Sequence, residues 1–287
     1  MNKKLKPYVL LAPFLILTFS TFFIGLINGV VQSLGYMPYL NMNTLTLRYY
    51  EEILKDKDFL MSLLYSIYIS LASSVVSIVL GVLVAFAILG IKREHKTFMH
   101  LYKAPVIIPH LVAVVLVFNI FSQTGIASRL IHSAGMISDP NQFPLFVFDS
   151  WGAGIILVYL YKQIPFVTMT VYAILGNINK DFTEVAYNLG ASRKQALFKV
   201  VLPMLLPAIL SAFLMIFAFT FGAFEVPFLL GSPVIATLPV KAYIYYTDPD
   251  FTFRSYTMVI NVIVSVLSLC FIWFYIKVFK RAAKYGI

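Results

Sequence analysis

Long apolar runs divide this sequence, and each run is close to the length that a helix needs to cross a lipid bilayer. At about 1.5 Å of rise per residue, about 20 residues cover a hydrocarbon core of roughly 30 Å. Hydrophobic residues make up 60% of the chain and charged residues only 12%, whereas about a quarter of a soluble domain is charged. We therefore predict an all-α, polytopic membrane protein with six transmembrane helices. The predicted spans are about 8–31, 62–89, 106–121, 151–175, 205–230 and 256–276.

The first run follows three lysines, Lys3, Lys4 and Lys6, which is also how a secretory signal peptide begins. The run is longer than the 7 to 15 or so apolar residues of a signal peptide, and no clear small-residue cleavage site follows it. We expect it to be retained as a transmembrane helix.

The basic residues are concentrated on one side of the predicted membrane. With six spans both termini share a side, and the termini together with 90–104 and 176–202 hold 15 of the 22 lysines and arginines. The opposite loops hold 6, and Lys162 lies within a span. Cytoplasmic loops carry the excess of Lys and Arg, so we predict cytoplasmic termini. The net charge of +10 therefore indicates membrane loops and no nucleic-acid partner.

Residues that could carry chemistry are scarce. The sequence contains neither a phosphate-binding loop nor a Gly-x-Gly-x-x-Gly motif. Its four histidines, His95, His100, His110 and His132, lack the spacing of metal ligands on one helix. No span pairs a nucleophile with a base, which disfavours an intramembrane hydrolase or lipid transferase. We predict no catalytic residue, no metal site and no cofactor bound by this chain.

Small side chains form a stripe along the second span, because most follow a predecessor by three or four residues. The stripe consists of Ser62, Ser66, Ser70, Ser73, Ser74, Ser77, Gly81 and Ala85. In lipid, such stripes let helix backbones approach closely, which favours a packing seam. A line of hydroxyl groups along a solute path is the alternative.

Two charged residues, Lys162 and Glu225, fall inside predicted spans. Their positions correspond to depths of about 16 Å and about 9 Å from the outer ends of the fourth and fifth spans. Charges at such depth line a solute path or pair with each other, and a lysine can also extend towards the headgroups. Pro165 and Pro227 lie nearby, and broken helices often line transporter cavities. Both residues are candidates for a solute path.

Residues 181–203 form a polar, charged segment between the fourth and fifth spans. We call this segment the platform. It lacks helix breakers except Gly190, which interrupts it, and Pro203, which closes it. A solvated helix without a partner is one interpretation, and a docking surface for a cytoplasmic partner is the other.

The platform resembles the loop signature of permease subunits of binding-protein-dependent type I ABC importers. That signature is Glu-Ala-Ala, three residues, Gly, nine residues and Ile-x-Leu-Pro. Here it appears as Glu184-Val185-Ala186, then Gly190, then Val200-Val201-Leu202-Pro203. The spacing agrees at every anchor, and the departures are Val185 for Ala and Val200 for Ile.

The resemblance implies a single permease domain over 1–287, with a coupling loop of two short helices that turn at Gly190. The residues implied in coupling to the ATPase are Glu184, Ala186, Gly190, Leu202 and Pro203. The implied partners are a dimer of ATPase subunits that holds ATP and Mg, a second permease subunit that is identical or paralogous, and an extracytoplasmic solute-binding protein. The implied location is a bacterial inner membrane.

Within this family, the segment from Phe221 to Gly231 and the later Thr237-Leu238-Pro239-Val240 are similar to the polyamine, opine and phosphonate branch. The resemblance thus implies import of a small polar solute, polyamine- or phosphonate-like. The alternative is a secondary transporter driven by an ion gradient. That class predicts inverted repeats and several intramembrane carboxylates, whereas this sequence shows no detectable repeat and one such carboxylate, Glu225.

Overall fold

The computed structural model describes residues 6–89, 102–176 and 180–284, and these residues fold into helices joined by loops, without a β-strand. The α-helices are α1 (Lys6–Ser33), α2 (Arg48–Lys55), α3 (Lys57–Leu89), α4 (Ala104–Ile107), α5 (His110–Phe121), α6 (Ile126–Ser133), α7 (Ala153–Leu175), α8 (Lys180–Asn188), α9 (Arg193–Ala196), α10 (Leu202–Gly222), α11 (Glu225–Leu230), α12 (Leu238–Tyr246) and α13 (Phe253–Lys284). A π-helix, Leu197–Val201, joins α9 to α10. Short 3-10 turns occupy Pro38–Leu40 and Pro140–Gln142.

Within the described residues, six segments are long and apolar enough to cross a membrane. They are Leu10–Ser33, Lys57–Leu89, His110–Ser133, Ala153–Leu175, Arg193–Gly222 and Phe253–Lys277. The all-α fold with six spans is therefore confirmed. Several charges used to orient the spans, Lys3, Lys4, Lys92, Arg93 and Lys96, lie outside the described residues.

The third predicted span, 106–121, contains a break. Ile108 is extended, with φ −65° and ψ 131°, and Pro109 precedes the first residue of α5. A proline disfavours helical geometry in the residue before it and has no N–H to donate. Beyond the break, the apolar segment continues past 121 to Ser133.

The fifth predicted span, 205–230, is also divided. Helix α10 ends at Gly222, Ala223 is extended with ψ 136°, and α11 begins at Glu225. In a continuous helix the ring of Pro227 would clash with the carbonyl of Ala223, four residues earlier. Glu225 therefore lies on a separate short helix beyond the end of the span, and the depth of about 9 Å inferred from one continuous helix does not apply.

The described residues form two compact units. The first combines residues up to Leu60 with Lys241–Val266, and the second combines Met61–Val240 with residues from Leu267 onwards. In the second unit, α7 packs against α4, α5, α10 and α11. One half of α7 contributes Ile155 and Val158 to a buried cluster, and the other half contributes Val167 and Val171 to a second cluster. Helix α7 is thus central to the unit that contains the candidate site.

The serine stripe of α3 is buried. The stripe serines Ser62, Ser66, Ser70, Ser73, Ser74 and Ser77 are all nearly inaccessible. A Cβ atom added to Gly81 would lie 2.6 Å from the Cβ of Val167, and the hydroxyl of Thr168 donates to the carbonyl of Gly81 at 3.1 Å. This close approach of α3 and α7 supports the packing-seam interpretation.

The first unit contains a polar cluster centred on Glu52. Its carboxylate accepts hydrogen bonds from the hydroxyl of Tyr256 and, at 2.6 Å, from Nε of Arg48. The bond from Tyr256, followed by the bond from Arg48, holds the pKa of Glu52 below its usual value. Lys241 and Asp56 form an ion pair at 3.4 Å in the same unit. These contacts connect α2 to the segment that ends in α13.

Candidate functional site

The platform contains a sharp turn at Gly190. Its φ is +84°, in the left-handed region that glycine adopts without steric cost. The N–H of Ala191 donates to the carbonyl of Ala186, and the N–H of Gly190 donates to that of Tyr187, both at 2.9 Å. These bonds form the Schellman motif that commonly ends a helix, and here it ends α8.

Beyond the turn, the chain starts α9 with a capping box. Oγ of Ser192 accepts from the N–H of Gln195 at 3.3 Å, and Oε1 of Gln195 accepts from the N–H of Ser192 at 2.8 Å. Helix α9 then continues through the π-helix into α10, and Pro203, the second residue of α10, has no N–H to donate to the preceding turn. The second half of the platform is therefore directly continuous with a membrane span.

The residues implied in coupling differ in exposure. Glu184 and Gly190 are exposed, whereas Leu202 and Pro203 are half-buried. Ala186 is only 9% exposed and faces its own chain. The exposed apolar side chains of the platform belong to Phe182, Val185, Tyr187, Leu189 and Phe198. The platform thus combines polar residues with an exposed apolar surface, and Ala186 packs beneath it.

Lys162 donates hydrogen bonds to backbone carbonyls at the break between α4 and α5. Its Nζ donates to the carbonyl of Pro105 at 2.7 Å, to that of Val106 at 3.1 Å, and to that of Ile108. Carbonyls at the end of a helix have no intrahelical donor, and the three N–H bonds of an ammonium group match these three acceptors. Among the described residues, Lys162 forms no ion pair with Glu225.

Glu225 lines a cavity of about 400 Å³. The other lining residues are His110, Phe219, Ala223, Phe224 and Val226. The Glu225 side chain is exposed, and no hydrogen bond or ion pair from another described residue engages its carboxylate. This carboxylate therefore has acceptor capacity available to a solute.

A second cavity of about 240 Å³ adjoins the first. Its lining residues are Val106, His110, Tyr159, Lys162, Gln163, Phe166, Met215, Ile216 and Phe219. His110 and Phe219 line both cavities, and their ring centroids are 5.1 Å apart. The structure thus brings Lys162 and Glu225 to two cavities that share lining residues, which we call the double cavity, without pairing them.

Two buried polar residues of the double cavity were not singled out from the sequence. Gln163 is 5% exposed, accepts from the hydroxyl of Ser77 at 2.9 Å, and donates to that of Thr220 at 2.7 Å. Tyr159 is 1% exposed, and its hydroxyl has no hydrogen-bond partner among the described residues. A glutamine beside Lys162 in an apolar span was a usable signal, whereas nothing in the sequence distinguished Tyr159 from a core residue.

Metal ligands do not cluster in this part of the chain. Among the described residues, no three His, Cys, Asp or Glu side chains are close enough to hold a metal ion.

Residues 77–284 match the family described as "Binding-protein-dependent transport system inner membrane component". Similar curated proteins include the molybdenum transport permease ModB of Mycobacterium bovis, 26% identical over 66% of this chain and 70% of that protein. The sulfate transport permease CysT of Salmonella typhimurium is 28% identical over 68% and 69%. The glucose import permease GlcT of Saccharolobus solfataricus is 25% identical over 95% and 96%. These names give no support to the polyamine, opine and phosphonate branch.

Among solved structures, a chain of a bacterial ABC transporter that imports the acidic polysaccharide alginate shares the fold. Its TM-score is 0.77 at 19% identity, covering 97% of this chain and 98% of that one. The same transporter type in complex with its alginate pentasaccharide-bound periplasmic protein gives a TM-score of 0.73. The family match covers most of the chain and the fold agrees over nearly all of it. The chain therefore belongs to the family of binding-protein-dependent transport system inner membrane components, as a permease subunit of an ABC importer.

Proposed function

We propose that this chain takes a small polar solute from an extracytoplasmic binding protein and moves it across the membrane when partner ATPase subunits hydrolyse ATP. The observation that carries the proposal is the platform, with its turn at Gly190 and its uninterrupted helical connection into α10. Such a connection lets a partner that moves α9 also move a membrane span. ATP and Mg belong to the partner in this proposal, and this chain supplies the path.

The platform has the chemistry of a protein-docking surface. Its exposed side chains include Val185 and Leu189, the latter 83% exposed, beside the carboxylate of Glu184. Apolar groups of this kind gain free energy when a partner removes them from water, and an exposed carboxylate can pair with a basic residue. We place this surface in the cytoplasm, together with both termini.

A second permease subunit, identical or paralogous, would complete the path. The apolar side chains of α1 are largely exposed, so this helix presents its surface to lipid or to another subunit. The complex of the alginate transporter with its periplasmic protein supports a corresponding solute-binding partner here. The relatives are named for molybdenum, sulfate and glucose. The polyamine- or phosphonate-like solute rests on the resemblance of the segment from Phe221 to Gly231 and of Thr237-Leu238-Pro239-Val240.

Gly190→Arg tests the coupling role. A Cβ at Gly190 would meet no atom within 4 Å, so the variant adds backbone strain of about 1 to 2 kcal/mol and a large charge on the proposed docking surface. We expect the assembled transporter to lose the ATP hydrolysis that the loaded binding protein stimulates, while membrane insertion of the chain is retained. The measurement is ATPase activity in proteoliposomes with and without binding protein.

Gly135→Arg is the matched control. Gly135 has φ +73°, and a Cβ there also meets no atom within 4 Å, but it lies in the loop predicted on the opposite side of the membrane. We expect this variant to keep coupled ATP hydrolysis. Normal coupling in the Gly190→Arg transporter, or an equal loss in both variants, would contradict the proposal.

A further inference from the structure

Among the described residues, the double cavity is lined by one lysine and one carboxylate, and the structure shows which of them has hydrogen-bonding capacity left for a solute. The names of the relatives leave this open, because they include anions and a neutral sugar. Both charges act on the cavity, so the groups whose hydrogen-bonding capacity is still free decide which class of solute can bind directly. The inference that follows rests on the proposed transport function and narrows its substrate.

The ammonium group of Lys162 is already occupied. It has three N–H donors, and the carbonyls of Pro105, Val106 and Ile108 accept all three. An anionic solute could bind Lys162 only by leaving backbone carbonyls without a donor inside an apolar environment, which is costly. Lys162 is therefore a structural cation of the α4–α5 break, and it is a poor recognition group for an oxyanion.

The hydrogen-bond acceptors of Glu225 and Tyr159, by contrast, are available to a solute. The carboxylate of Glu225 is exposed and unengaged among the described residues, and the buried hydroxyl of Tyr159 lacks a hydrogen-bond partner there. The ring of Phe219 lines both cavities. A carboxylate, a hydroxyl oxygen and an aromatic face all attract an ammonium group.

We propose that the double cavity is a recognition site for a cationic solute that carries ammonium groups, and that Glu225 binds one of them. The hydroxyl of Tyr159 and the face of Phe219 stabilise the remainder of the solute, while Lys162 stays on the backbone carbonyls. The site favours a polyamine-like cation and disfavours a phosphonate, a sulfate or another oxyanion.

The test measures the sign of the charge that a small molecule meets at this site. Ala223, which lines the cavity beside Glu225, is replaced by cysteine in a Cys270→Ser background, because the native cysteine is exposed. The detergent-purified complex reacts with a cationic trimethylammonium methanethiosulfonate or with its anionic sulfonate analogue. The rates are divided by those for a free thiol in solution. Neither ATP nor binding protein is present, so the result does not depend on coupled transport.

When Glu225 is retained, we expect the Ala223→Cys protein to have a higher normalised reaction rate with the cationic reagent than with the anionic one. Glu225→Gln should reduce the cation-to-anion ratio by about tenfold, the size expected for one charge a few ångströms away in a partly hydrated site. Asp139→Asn, which removes a carboxylate that does not line the double cavity, should leave the ratio unchanged. A preference for the anionic reagent, or a ratio insensitive to Glu225→Gln, would overturn the proposal.

Protection by candidate solutes provides the second readout. Millimolar spermidine should slow modification of the Ala223→Cys protein at least twofold, by roughly the occupancy of a weak site, and methylphosphonate should not. The protection should disappear with Glu225→Gln. Failure of spermidine to protect, or protection by methylphosphonate instead, would overturn the proposal. A transporter that passes these tests but shows no coupled ATP hydrolysis would contradict only the proposed transport function.

Discussion

Lys162 shows how backbone carbonyls can stabilise a charge in an apolar span, since no counter-ion for it lies among the described residues. A charged lysine at such a position costs free energy unless its N–H groups have hydrogen-bond acceptors. Here the three N–H groups of Lys162 donate to three backbone carbonyls near the end of α4, which lack donors within a helix. Depth and residue type predicted that Lys162 and Glu225 line a solute path or pair with each other. They could not predict carbonyl partners, because these exist only when the chain breaks at Pro109.

Glu52 is the residue at which a pH effect can be predicted. Hydrogen bonds from Tyr256 and Arg48 lower its pKa from a reference value of 4.5. Because the pKa is lower in the folded state, the stabilisation is present above the unfolded value and is lost as the pH falls through the folded value. We expect Glu52→Gln to lower the Tm of the purified complex at pH 7, with the difference from wild type shrinking below about pH 4.5.

The control is Glu51→Gln, one residue earlier in α2. Thermal unfolding of wild type and both variants, followed by intrinsic fluorescence across the same pH series, makes the comparison. If the difference in Tm between wild type and Glu52→Gln were the same at low pH as at pH 7, the carboxylate would contribute no pH-dependent stability.

At the scale of the helices, Pro109 and Pro227 each divide an apolar segment that hydropathy alone predicts as one continuous helix. Apolar content predicted one continuous fifth span, whereas α10 ends at Gly222 and α11 starts at Glu225. Pro165, by contrast, lies inside α7 without ending it. Whether a helix bends, breaks or continues at a proline depends on which neighbouring groups form hydrogen bonds with the backbone carbonyls that the proline leaves without a donor. Those neighbours are distant in sequence.

The contact of α3 with α7 depends on Gly81. In Gly81→Ala the new Cβ would lie 2.6 Å from the Cβ of Val167 and 3.1 Å from the carbonyl oxygen of Ile164. These atoms are held by rigid backbone, so the clash should outweigh the roughly 1 kcal/mol that alanine gains in helix propensity. We expect Tm to fall by about 2 to 4 °C, measured by thermal unfolding of the purified complex.

Gly25→Ala in α1 is the matched control, since a Cβ at that position meets no atom within 4 Å. Its Tm should stay equal to that of wild type or rise slightly. A Gly81→Ala protein as stable as Gly25→Ala would show that α3 and α7 can separate at low cost.

At the scale of the whole molecule, the number and order of spans could be predicted because lipid imposes them directly on length and hydropathy. The platform could also be predicted from the sequence, since its motif residues from Glu184 to Pro203 lie within one continuous segment. The double cavity was not, because it combines Phe219 of α10 with His110 of α5 and Tyr159 of α7. Only packing brings these three helices together.

The orientation in the membrane is the prediction that belongs to this scale. In a Cys270→Ser background, Met136→Cys and Leu189→Cys place thiols at positions whose side chains are 76% and 83% exposed. The distribution of basic residues puts the first outside and the second in the cytoplasm. A membrane-impermeant maleimide should label Met136→Cys in intact spheroplasts and Leu189→Cys only after permeabilisation. The reverse pattern would invert the assigned topology.

The direct continuity of the π-helix with α10 also sets the distance over which the platform acts. Helix α10 has 21 residues, so it is about 32 Å long. It begins at Leu202, within the platform, and it ends at Gly222, three residues before Glu225. A rotation imposed on its first turn would be carried along the helix towards Phe219 in the cavity wall, and Pro207 inside α10 is a point at which the helix can bend. Force generation and solute contact would then lie at the two ends of one helix.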